Sequence, residues 1–164
     1  MQLTHTASWV QNMEPAWSPD GKSVVFSRRT LSATGSAALY VLYLSTGKVA
    51  QLTKTWSGRG DREPAWSSDG RQIAFTSDRK GPDDIYAVNI VSRAITRLTT
   101  KASIDTHPSW APSGNMLAFM SDRTGATEIH TLDLSGRTDR PLKQITFDRA
   151  FKSNPAWERF GPTD

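Results

Sequence analysis

A segment of sixteen residues recurs along this chain, and that recurrence limits the possible folds more than any bulk property does. Its clearest copy is Pro64-Ala65-Trp66-Ser67-Ser68-Asp69-Gly70-Arg71-Gln72-Ile73-Ala74-Phe75-Thr76-Ser77-Asp78-Arg79. An earlier copy opens Pro15-Ala16-Trp17-Ser18-Pro19-Asp20-Gly21, and a later one opens Pro108-Ser109-Trp110-Ala111-Pro112-Ser113-Gly114. A fourth begins at Asn154-Pro155-Ala156-Trp157. The tryptophans at 17, 66, 110 and 157 are separated by 49, 44 and 47 residues. A period of this length, carrying strand and turn chemistry in every copy, belongs to an array in which each repeat is one small sheet stacked on its neighbours.

Each complete unit reads as four short strands. In the first, Ala16–Ser18 is strand one, and Pro19-Asp20-Gly21 is a tight turn with glycine where positive φ is cheap. Val24–Ser27 is strand two, Leu39–Leu44 strand three, Ser45-Thr46-Gly47-Lys48 a hairpin turn and Val49–Leu52 strand four. The second unit places strands three and four at Ile85–Ile90 and Ile95–Leu98, and the third at Glu128–Leu134 and Leu142–Ile145. Every unit closes on one signature: Gln51-Leu52-Thr53, Arg97-Leu98-Thr99, Gln144-Ile145-Thr146. Gln2-Leu3-Thr4 carries the same signature ahead of the first unit. No stretch has helical periodicity. The expectation is an all-β propeller of four-stranded antiparallel blades, three to the chain. The blades fall at about 14–53, 63–99 and 107–146, with partial strands at 2–4 and 154–158. Ile73 and Phe75 share one strand face while Ala74 points the other way, which suits a sheet sandwiched between two others. Trp17, Trp66 and Trp110, present in every copy, are expected to wedge between blades as packing.

The chain has 164 residues, no cysteine and a net charge of +4. Disulfides and thiol catalysis are therefore excluded. No apolar run reaches the roughly 18 residues of a membrane span, and the opening Met1-Gln2-Leu3-Thr4-His5-Thr6 lacks the pattern of a secretory signal. The basic residues are scattered, with Arg28-Arg29 the longest pure run, which argues against a nucleic-acid face.

The succession Pro-Ala-Trp-Ser-Pro-Asp-Gly-Lys, an apolar strand ending in Phe, Ser-Asp-Arg, Ile-Tyr and Leu-Thr resembles the WD-like propeller repeat of the TolB family. The resemblance covers nearly the whole chain and implies a six-bladed ring. It also implies a periplasmic location for a chain whose signal has been removed, and a cytoplasmic one otherwise. The first unit has Ser27-Arg28-Arg29 where the others have Ser-Asp-Arg, and the third has Pro112-Ser113-Gly114 for Pro-Asp-Gly. Three blades cannot close a ring, since propellers use about 4–8. A homodimer joining two sets of three is expected, the alternative being a piece of a longer chain.

In such a blade the loops leading from strand two to three, and from strand four to the next strand one, share a face. Glu14, Glu63, His107 and Asn154, each just before a proline, should ring the channel mouth there. Asp78, Arg79, Asp122 and Arg123 lie on the same face, and Trp9, Trp56 and Phe151 fall in its loops. Carboxylates, an imidazole and aromatics together suit a protein, peptide or carbohydrate ligand. For Asp78 and Asp122 the favoured reading is structural, as turn stabilisers paired with arginines. A calcium ion at Glu14 and Glu63 is a weaker alternative, so neither metal nor cofactor is expected. There is no Gly-x-Ser-x-Gly elbow, and His5, His107 and His130 lack metal-ligand spacing. The expected function is a non-catalytic binding or scaffold propeller. The alternatives are a propeller enzyme of polysaccharide lyase or hydrolase type, working through His107 and a carboxylate, and an accessory propeller of a serine peptidase.

Overall fold

The computed structural model describes residues 3–4, 6–32, 35–100, 102–136, 141–148 and 154–157. Among the described residues twelve strands form three four-stranded antiparallel sheets, each in simple sequence order. The first sheet holds β1 (Val10–Trp17), β2 (Ser23–Thr30), β3 (Ala37–Tyr43) and β4 (Lys48–Gln51). The second holds β5 (Asp61–Trp66), β6 (Gln72–Ser77), β7 (Asp84–Asn89) and β8 (Ile95–Arg97). The third holds β9 (Asp105–Trp110), β10 (Met116–Ser121), β11 (Glu128–Asp133) and β12 (Leu142–Gln144). Among the described residues no helix is long and apolar enough to cross a membrane.

The innermost strands start earlier than the sequence suggests. Ala16–Ser18 was the expected first strand, whereas β1 already pairs with β2 at Val10. A proline within a run reads as a strand break because it has no N–H to give the ladder. Here each proline sits in a bulge, the position where a strand tolerates it. The register slips between Met13 and Ala16, between Arg62 and Ala65, and between Thr106 and Ser109.

The alternating faces of each sheet build the core in two seams. Val25, Leu39, Val41 and Leu52 of the first blade meet Ile73, Phe75, Tyr86 and Val88 of the second. On its other face the second blade offers Ala74 and Ile85 to Trp110, Leu117, Phe119 and Leu132 of the third. Phe75 and Phe119 are fully buried, a contribution of roughly 1.5–3 kcal/mol each.

Two of the tryptophans repeat one contact, while the buried Trp110 Nε1 has no partner. Trp66 Nε1 donates to the Ala16 carbonyl of the preceding blade at 3.2 Å, and Trp157 Nε1 donates to the Ser109 carbonyl at 3.0 Å. Trp110 is buried and Trp66 half-buried. Trp17 departs from the expected wedge and is 61% exposed, because among the described residues no strand stands in front of β1 to receive it. Asn154–Trp157 thus occupies, behind the third blade, the seat that β5 takes behind the first.

Candidate functional site: the channel mouth

The four residues preceding the bulge prolines come together. Glu14, Glu63, His107 and Asn154, each with its following proline, line one cavity of about 290 Å³ at the channel mouth. All four have left-handed backbone, with φ of 53°, 54°, 53° and 39°. Among the described residues only one other non-glycine, Arg93, has positive φ. A residue before proline is already restricted in its backbone, and a left-handed non-glycine costs about 1–3 kcal/mol.

This conformation turns the Glu63 and His107 N–H groups toward the blade before each. The Glu63 N–H donates to Glu14 Oε2 at 2.7 Å, and the His107 N–H donates to Glu63 Oε2 at 2.8 Å. Thr76, on the strand behind the mouth, donates its hydroxyl to the same Glu63 oxygen at 2.6 Å. The other Glu63 oxygen, Oε1, lies 3.2 Å from His107 Nε2. Glu63 is therefore held on three sides, whereas Glu14 is exposed and keeps one oxygen open to the channel. The buried His107 Nδ1 has no partner. Sequence reasoning placed the four mouth residues but gave no hint of Thr76, whose role appears only when β5 and β6 pair.

The remaining expected site residues separate from the mouth. Asp78 Oδ1 accepts the Gly60 N–H at 2.8 Å and Asp122 Oδ1 accepts the Ile104 N–H at 2.8 Å, so each ties the incoming linker to its own blade. Arg79 and Arg123 do not pair with these aspartates. Arg79 Nη2 reaches both oxygens of buried Asp61 at 2.7 Å, and Arg123 Nη2 reaches Asp105 at 2.6 Å. Their guanidinium groups cover Phe75 at 5.1 Å and Phe119 at 5.3 Å, a favourable cation-ring stacking. In the first blade Asn12 holds the place of Asp61, and Arg28 rather than Arg29 lies over the rings, 5.4 Å from Phe26 and 4.4 Å from Tyr40. Trp9 and Trp56 lie outside the mouth cavity: the Trp9 carbonyl accepts the Leu31 N–H, and Trp56 lines a separate groove. Phe151 lies outside the described residues.

At the opposite end of the channel, Trp17, Trp66, Trp110 and Trp157 line a second cavity of about 270 Å³. The turns at that end are stiffened by Asp20 and Asp69, whose carboxyls are held below the usual range by the Ser18 and Ser67 hydroxyls and by backbone N–H groups. Burial pushes Asp84 up despite the nearby Arg97, and burial pushes His130 down. Among the described residues no group of three or more His, Asp or Glu is placed to hold a metal.

The TolB from Acinetobacter baumannii superposes with a TM-score of 0.70 at 29% identity, over 84% of this chain and 33% of that one. A protein assigned as TolB in Agrobacterium tumefaciens superposes with a TM-score of 0.65 at 26% identity, over 82% of this chain and 50% of that one. This chain therefore spans between a third and a half of those two structures. An oligogalacturonate lyase from Vibrio parahaemolyticus, 16% identical with a TM-score of 0.60 over 83% of this chain and 39% of its own, shares the fold alone. No curated protein matches the chain. The family model of the TolB beta propeller domain matches twice, over residues 4–90 and 80–163. The repeats, the three sheets and the two matches agree, and the chain belongs to the TolB beta-propeller domain family.

Proposed function

We propose that this chain is a non-catalytic binding module that holds a peptide segment of a partner protein at the channel mouth, through Glu14, Glu63, His107 and Asn154. The observation that carries this reading is the recurrence of left-handed backbone at all four of those residues, one in each repeat. Glycine would adopt the same φ at almost no cost, yet each position carries a polar side chain into one cavity. Strain that persists where a cheaper residue exists points to a use for the side chain. The Glu14 carboxylate is open to the channel, Glu63 is fixed by three neighbours, and acceptors in a concave site suit the N–H and ammonium groups of a peptide.

Panning a peptide library against the whole chain tests this. Peptides selected on the wild type should lose at least about tenfold in affinity on Glu14→Gly, while the fold is kept or gains up to about 1 kcal/mol from relieved strain. Peptides that bind Glu14→Gly and Glu63→Gln as well as the wild type would refute the mouth as the site.

A second reading draws on the 3.2 Å contact between His107 Nε2 and Glu63 Oε1, in which a carboxylate orients an imidazole as in many acid–base pairs. An enzyme of lyase or hydrolase type would then work through His107. Turnover of a polysaccharide that vanishes in a folded His107→Ala variant would support it, and the absence of turnover by the wild type across acidic and neutral polysaccharides would remove it.

A further inference from the structure

We propose that the outer groove between the first two blades binds a peptide segment in which acidic residues flank a bulky apolar one. The groove, about 450 Å³, is larger than either channel cavity and lies wholly between described blades, so it does not depend on how the ring is closed. One wall is Leu52 with the linker residues Lys54 and Trp56, and the other is Arg79, Arg93 and Ile95 of the second blade. Among the described residues no carboxylate lines it.

The linker itself is the second, independent sign. Between the closing threonine of one unit and the first aspartate of the next there are seven residues here, 54–60, against five, 100–104, at the following seam. The extra length forms a tight turn from Trp56 to Arg59, closed by the Arg59 N–H on the Trp56 carbonyl at 3.1 Å. Arg59 Nη1 anchors it to the Asp78 carbonyl at 2.6 Å, and the Gly60 N–H anchors it to Asp78 Oδ1 at 2.8 Å. A fixed turn thus holds an indole that remains 49% exposed, opposite Ile95 at 38%. An aromatic held rigid before binding loses little conformational entropy on contact, which is why such residues anchor interfaces.

Charge selects the ligand. The Arg79 guanidinium is spent on Asp61. Lys54 and Arg93 are exposed, and among the described residues neither has an ion-pair partner. Two free cations beside an apolar floor of Leu52, Trp56 and Ile95 ask for carboxylates next to a large apolar side chain. A nucleic acid would ask for a longer basic track with several stacking rings, and a sugar for more polar groups than this floor offers. The groove is also the electrostatic opposite of the mouth, so the two sites take different ligands.

The test uses the full chain and a fluorescein-labelled hexapeptide, Glu-Asp-Phe-Leu-Asp-Glu, followed by anisotropy beside its neutral counterpart Gln-Asn-Phe-Leu-Asn-Gln. The acidic peptide is expected to bind more tightly than the neutral one and to weaken as salt is added. Trp56→Ala, and Lys54→Glu combined with Arg93→Glu, should each weaken it at least about tenfold, with Trp56→Phe retaining most of the binding. Lys143→Glu, an exposed charge reversal on β12, should leave it unchanged. These side chains are exposed, so the circular dichroism spectrum should stay native. If a variant unfolds, the salt dependence and peptide preference of the wild type decide. Equal binding of the neutral peptide, no binding of either, or full binding by folded Trp56→Ala overturns the proposal. So does a loss caused by Glu63→Gln, which would move the peptide to the mouth, or displacement of the peptide by oligothymidylate or galacturonic acid at lower concentration than by unlabelled peptide.

Discussion

Replacing Asp61 by alanine removes the carboxylate on which the top of the second blade is fastened. Asp61 is 1% exposed and accepts three bonds, from Ser77 Oγ at 2.6 Å and from Arg79 Nη2 at 2.7 Å to each oxygen. Arg79 is itself only 11% exposed and lies over Phe75 and Tyr86, so it cannot swing into water without uncovering the rings. Breaking such a pair from one side leaves a buried charge uncompensated and costs about 3–5 kcal/mol. That is a large share of the roughly 5–15 kcal/mol by which a domain is stable. At about 2–4 °C per kcal/mol for a chain of this size, the melting midpoint should fall by roughly 6–20 °C. Thermal melts of wild type and variant, followed by circular dichroism, measure the shift, and urea melts measure the free-energy cost. Asp61→Ala combined with Arg79→Met removes the charge while keeping an apolar cover on the rings, and should regain more than half of the loss. A single-variant cost below about 1 kcal/mol, the range of exposed ion pairs, would show that the pair is solvated and the reasoning wrong.

The buried His130 holds the place of Tyr40 and Tyr86, and its folded-state pKa lies below the unfolded value of 6.5. The unfolded chain therefore binds the proton first as pH falls, so stability should be full above about pH 6.5 and decline below it; His130→Tyr should flatten that decline, and an unchanged pH profile of the melting midpoint would exclude His130 as its source. Trp66→Ala should cost about 3 kcal/mol in the same melts, since it empties the seam beside Val25 and Phe75; an unchanged midpoint would refute the packing role. A second copy closing a six-bladed ring has to lift Asn154–Trp157 off Ser109, because the partner's β1 needs that seat. Removing residues 154–164 should therefore raise the dimer fraction seen by light scattering, and a mass that remains monomeric at high concentration would rule out closure by a second copy.

The blades were legible because Pro-x-Trp, Asp-Gly and Leu-Thr each mark one fixed point of a four-stranded unit. Four mouth residues followed from the same frame, since the position before each proline recurs with the repeat. The true extent of the inner strands was hidden, because a proline looks like an end unless the bulge around it is known. The partners of Arg79 and Arg123 were hidden too. Their carboxylates, Asp61 and Asp105, lie eighteen residues upstream on the adjacent strand, while Asp78 and Asp122 stand next to them in sequence but face the linker. Trp9 and Trp56 sit in the expected loops, yet loop membership does not fix direction, and a turn of two extra residues carries Trp56 to the outside of the seam.

The contact from an indole to the carbonyl of the blade before it runs in one direction only. A blade therefore has a donor side and an acceptor side that are unlike, and two donor sides cannot meet face to face. Growth by such contacts is strictly directional. The buried Trp110 Nε1 makes no such bond, so the seam between the second and third blades rests on packing instead.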